Sequence, residues 1–68
     1  MATIAVAPTK AREFRTRFVA WRREQGAHIF AEPQESDGAD GSVLFSSVPT
    51  ECLKVLDEAG FQYTKIRS

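Results

Sequence analysis

The pattern that most constrains this chain is a punctuation that occurs twice. A short β-branched apolar run meets Pro-Thr, an amphipathic stretch follows, and a glycine ends it. The first instance is "TIAVA", Pro8-Thr9, the stretch from Lys10 to Gln25, and Gly26. The second is "SVLFSSV", Pro49-Thr50, "ECLKVLDEA" and Gly60. Proline stops a strand and suits a first helical turn. Glycine just past a helix accepts the left-handed conformation that closes it. Each half therefore reads as a strand followed by a helix.

Filling in the remainder gives six elements. Strand one is expected over 3–7. Thr9 is the expected N-cap of helix one over 10–25, whose Ala11, Phe14, Phe18, Trp21 and Gln25 recur at three- and four-residue steps as one apolar face. "AHIFAEP", 27–33, reads as strand two, ended by Pro33, and 34–42 reads as a polar hairpin loop with Asp-Gly turn signals. Strand three follows over 42–48. Helix two starts at Pro49-Thr50, with Glu51 in its first turn and either Leu53, Leu56 and Ala59 or Cys52 and Val55 turned inward. "FQYTKIR", 61–67, is strand four. The order βαββαβ predicts an α+β chain of ferredoxin-like type, a four-stranded antiparallel sheet with two helices on one face. At 68 residues one core, and so one domain over 1–68, is all that fits.

Two helices cover one face of a sheet only. Ile4 and Val6 are expected inward. In strand two Ile29 turns inward and His28, Phe30 and Glu32 outward. Leu44 and Phe45 point to opposite faces, so strand three is ambiguous. Some of Phe30, Phe45, Phe61 and Tyr63 are expected on the open sheet, where an apolar patch marks an interface.

Charge is distributed unevenly although the net charge is zero. Over residues 1–26, Lys10 and five arginines outweigh Glu13 and Glu24 by four charges. Over 27–58, seven carboxylates outweigh Lys54 by six. At about 100° per residue, Arg12, Arg15, Arg22 and Arg23 form one stripe of helix one with Val19 among them. Arg17 and Lys10 flank the apolar arc on the other side. Such a stripe is a solvated face, a protein-docking face, or a contact for nucleic-acid phosphates. Zero net charge and the acidic loop argue against the last of these.

Catalytic residue types are scarce. Cys52 and His28 are single, and nothing in their spacing builds a nucleophilic pair. One cysteine forms no internal disulfide and no four-cysteine zinc site. "ESDGADG" lacks the spacing of a calcium loop, and neither a phosphate loop nor a dinucleotide fingerprint is present. No cofactor, metal or enzymatic activity is expected. The start "MATIAVAPTK" lacks the basic region and apolar length of a signal peptide, and no run is long enough to span a membrane, so a cytoplasmic protein without a membrane partner is expected.

Two partial resemblances bear on function. "LKVLDEAGFQYTKI" resembles the last helix and strand of ACT-type regulatory domains, which implies a small-molecule regulatory role. The glycine-rich ligand loop of that family is replaced here by "PTK". "GSVLFSSV" resembles the third strand of an RNA-recognition motif, which implies RNA or single-strand binding through sheet aromatics. Here Phe45 is the only aromatic of that strand and strand one has none. The leading expectation is a small non-enzymatic binding module that regulates or inhibits a larger intracellular protein by occupying its surface. Phage-encoded inhibitors such as anti-CRISPR proteins share this size class. Its binding residues are expected among Arg12, Arg15, Arg22, Arg23, Phe30, Phe45 and Tyr63, and the open sheet also suits a homodimer interface.

Overall fold

The structure is a computed structural model that describes residues 1–26 and 31–67. Its elements are β1 (Ala2–Val6), α1 (Ala11–Glu24), β2 (Gln34–Asp37), β3 (Val43–Val48), α2 (Thr50–Glu58) and β4 (Thr64–Arg67). The four strands form one antiparallel sheet in the order β2-β3-β1-β4, and with two helices this is the α+β, ferredoxin-like layout that the element order implies.

The core is a single aromatic-rich cluster. Ala11, Phe14, Phe18 and Trp21 of α1 are all buried, as their spacing requires. Gln25, the fifth residue of that series, is exposed beyond the last helical turn. Phe14 is the hub. Its ring centre lies 4.3 Å from that of Phe45 and 6.3 Å from those of Phe18 and Phe61. From α2, Cys52, Leu53 and Leu56 are buried, while Val55 and Ala59 are exposed. The inner face of α2 thus takes members of both expected sets.

Thr9 does not cap α1. Pro8–Lys10 form one 3₁₀ turn, and the Lys10 N–H donates to the Ala7 carbonyl at 2.8 Å. The turn itself pairs the backbone groups that a threonine hydroxyl would otherwise serve. At the far end of α2 the glycine behaves as expected. Gly60 has φ +76°, its N–H donates to Asp57, and the Phe61 N–H donates to Leu56 at 2.9 Å. This double closure brings the buried Phe61 back over the buried Leu56.

Strand two departs from expectation. It occupies Gln34–Asp37, inside the stretch expected as loop, and residues 31–33 are not strand. His28, Ile29 and Phe30 lie outside the described residues. The cause is the turn. The Gly38 N–H donates to Ser42 O at 2.8 Å, and Asp40 Oδ1 accepts from both the Ser42 N–H and hydroxyl, at 3.1 and 2.6 Å. This closes five residues tightly enough to pair Asp37 with Val43, and the ladder then runs back to Gln34 opposite Ser46. All four residues of β2 are exposed. An edge strand carried by its neighbour's backbone needs no apolar face, so alternation cannot reveal it.

β3 holds a bulge. Between Ile4↔Phe45 and Ala2↔Val48, β1 advances two residues and β3 three, and Ser47 sits at φ +62°. The extra residue turns both Phe45 and Val48 into the core, at 1% and 0% exposure, and leaves Leu44 on the open face.

Candidate docking surface on the first helix

The arginine-rich stretch becomes a helix because its apolar residues fall on one arc. The positions of the charged residues follow from that arc. Arg15 and Arg22 flank the buried face on one side, and Arg17 and Lys10 on the other. Arg12 and Arg23 point away from the sheet.

The flanking cations are engaged within the molecule. Arg15 hydrogen-bonds and ion-pairs with Glu35 of β2. Arg22 reaches Glu32 at 3.7 Å and lies 5.8 Å over the Phe18 ring, with its side chain only 27% exposed. The acidic segment thus lies along the stripe and neutralises half of it, which the helix alone does not reveal. On the other flank, Glu13 accepts from Arg17 at 3.0 Å and pairs with Lys10 at 3.5 Å. The Arg17 hydrogen bond, assisted by the charge of Lys10, holds the Glu13 carboxyl below its usual pKa. Arg17 also lies 5.8 Å from the centre of the Phe61 ring.

Arg12 and Arg23 remain. Both are exposed, and neither enters an ion pair among the described residues. Eleven residues apart, they stand about 16 Å from each other along the helix. Thr16, Val19 and Ala20 lie between them, with the Thr16 hydroxyl turned back to the Arg12 carbonyl at 3.1 Å.

The expected aromatic patch on the open sheet is not found among the described residues. Phe45 is buried under α1 by the bulge, and Phe61 is buried ahead of β4 rather than within it. Tyr63 is half-buried, and its hydroxyl donates to Asp57 Oδ1 at 2.8 Å. Burial and that carboxylate push its pKa up to about 12. Phe30 lies outside the described residues. Thr3, Ala5, Leu44 and Ser46 occupy the middle of the open face instead.

Cys52 is 1% exposed, and burial pushes its thiol up to about 11, so it is protonated at neutral pH and packs as a small apolar side chain. Among the described residues no three His, Cys, Asp or Glu side chains gather as metal ligands. No helix among them is long and apolar enough to cross a membrane. A cleft of about 90 Å³ between α1 and β2 is lined by Phe14, Phe18, Val19, Pro33 and Phe45, together with the paired Arg15 and Glu35.

Comparison of the chain with family models, with curated proteins and with solved structures found no match.

Proposed function

We propose that the chain is a non-enzymatic protein-binding module that regulates or inhibits a larger intracellular partner by covering an acidic patch on its surface. The observation that supports this is the division of the arginine stripe. Arg15 and Arg22 are tied to Glu35 and Glu32, while Arg12 and Arg23 stand exposed on the outer face of a rigid helix. The planar guanidinium groups of two exposed arginines on one helix suit bidentate contacts to carboxylates. The small side chains between them let a partner approach closely. Contact with nucleic-acid phosphates is the competing use of the same two groups. Among the described residues Phe45 is buried, which withholds one aromatic that sequence-tolerant strand binding would draw on.

The test is affinity capture with the full chain from cells that produce it, beside titration of a mixed RNA and DNA pool at low and moderate salt. The Arg12→Glu/Arg23→Glu variant is expected to lose the captured protein, with affinity reduced by about 100-fold if each arginine contributes as interface arginines often do. Capture unchanged in that folded variant, or salt-sensitive binding of the nucleic-acid pool in place of a protein, would overturn the reading.

A further inference from the structure

Two Asp-Gly steps, Asp37-Gly38 and Asp40-Gly41, lie where β2 turns into β3. Glycine has no side chain to shield its peptide nitrogen from the carboxyl of the aspartate before it. The fold treats the two steps differently. Asp37 is the last residue of β2 and is laddered to Val43. The Gly38 N–H donates to Ser42 O at 2.8 Å, and a Cβ built on Gly38 would meet Ser42 Oγ at 2.6 Å. That nitrogen is both engaged and crowded. Asp40 lies outside the strands and is exposed. The Gly41 N–H makes a longer bond, 3.3 Å to Gly38 O, and a Cβ built on Gly41 would meet nothing within 4 Å. Asp40 Oδ1 also accepts from the N–H of Ser42, two residues on, at 3.1 Å. This Asx-type closure folds the carboxyl back across the Gly41 peptide that lies between.

We infer that Asp40 is a site of spontaneous isomerisation, and that the fold directs this modification to Asp40 and away from Asp37. The Gly41 nitrogen attacks Cγ of the protonated Asp40 carboxyl. The N–Cγ bond forms and a Cγ–O bond breaks. The oxygen leaves as water, with the carboxyl hydrogen and the amide hydrogen. The product is a cyclic succinimide, which a second water opens. Opening at the side-chain carbonyl restores aspartate. Opening at the main-chain carbonyl of residue 40 leaves the chain running through Cγ, as isoaspartate. Water is the only co-reactant. The hydrogen bonds from the Ser42 hydroxyl and backbone N–H hold the Asp40 carboxyl below its usual pKa. The reactive acid is thus a minor form at neutral pH, and the conversion is slow.

The consequence reaches beyond the turn. An isoaspartyl link adds a methylene to the main chain and removes the carboxylate from its place against Ser42. Those bonds shape the turn that sets Asp37 opposite Val43, and β2 in turn carries Glu35 to Arg15. Isomerisation therefore loosens β2 and the ion pair that ties it to α1, and it leaves Arg12 and Arg23 where they are. It does not depend on the proposed protein partner.

The test incubates the full chain in warm neutral buffer, below its unfolding transition, and in parallel in guanidinium chloride. Peptide mapping with electron-transfer fragmentation measures isoaspartate at each position. Asp37→Glu and Asp40→Glu are carried alongside, because the larger ring that a glutamate must form closes far more slowly. Both side chains are exposed, and circular dichroism verifies that each variant is folded. In the folded chain isoaspartate at Asp40 is expected to exceed that at Asp37 by about tenfold or more, since the ladder and the Gly38 hydrogen bond must open before Asp37 reacts. In denaturant the two positions are expected to react at similar rates. Asp40→Glu is expected to abolish the folded-state product and Asp37→Glu to leave it in place. Equal isoaspartate at the two positions in the folded chain, or a folded ratio no different from the denatured one, would overturn the inference. So would a folded chain that forms none at Asp40 while the denatured chain forms it at both.

Discussion

Phe14→Ala is expected to leave the chain largely unfolded at room temperature. Phe14 has 0% exposure and touches the rings of Phe18, Phe45 and Phe61, so it joins α1 to β3 and to the segment that follows α2. Truncating a buried phenylalanine costs about 3–5 kcal/mol, because a cavity replaces its contacts. A domain of this length has only about 3–10 kcal/mol in total. The loss equals or exceeds the smaller figure and takes about a third to a half of the larger. Val19→Ala, at a half-buried position on the same helix, is expected to cost less than about 1 kcal/mol. Urea titration followed by far-UV circular dichroism compares the two. A Phe14→Ala protein with a cooperative transition near that of the native chain would show that the core is not organised around this ring.

The second large effect concerns the bulge. Phe45 and Val48 both reach the core only because Ser46 and Ser47 place one extra residue between the ladder pairs on either side. Deleting Ser47 leaves Phe45 and Val48 two positions apart, and in a regular strand both still face inward. That deletion is expected to fold, and it also removes a non-glycine residue at φ +62°, a strain of about 1 kcal/mol or more. Inserting a serine after Ser47 instead either keeps the bulge and turns Val48 to the open face, or straightens the strand and carries Val48 two residues past its place opposite Ala2; in both cases Val48 leaves its place in the core and the start of α2 moves with it. The transfer term for Val48 alone is about 1.5–3 kcal/mol, and the void it leaves adds to that. Thermal melts are expected to show a cooperative transition for the deletion and none for the insertion. The opposite order would contradict the assigned register.

These two regions also show what the chain discloses before its structure is known. The helical spacing of Phe14, Phe18 and Trp21 is a strong periodic signal, and it settles which arginines lie outside. Gly26 and Gly60, at φ +77° and +76°, mark both helix ends because side-chain-bearing residues resist that conformation. By contrast, β2 is polar on both faces and exists because of a turn and a neighbour, so no local pattern announces it. Alternation assigns Phe45 to neither face, since a bulge breaks alternation and leaves no mark stronger than two serines. The pairing of Arg15 with Glu35, and of Arg22 with Glu32, depends on where β2 lies. Misplacing that strand hides the neutralisation of half the stripe.

The four arginines of the stripe divide into two that pair within the fold, Arg15 and Arg22, and two that face outward, Arg12 and Arg23. Thermal unfolding of two charge-reversed variants at low protein concentration tests it most directly. Arg15→Glu/Arg22→Glu sets like charges against Glu35 and Glu32 and removes the cation over Phe18. A loss of roughly 1–2 kcal/mol is expected, which lowers Tm by about 5–15 °C for a domain of this size. Arg12→Glu/Arg23→Glu breaks no ion pair among the described residues. Its effects on the helix dipole oppose each other, favourable in the first turn and unfavourable in the last, so Tm is expected to stay within about 2 °C of the native chain. Equal Tm values for the two variants, or a larger drop for Arg12→Glu/Arg23→Glu, would contradict the division.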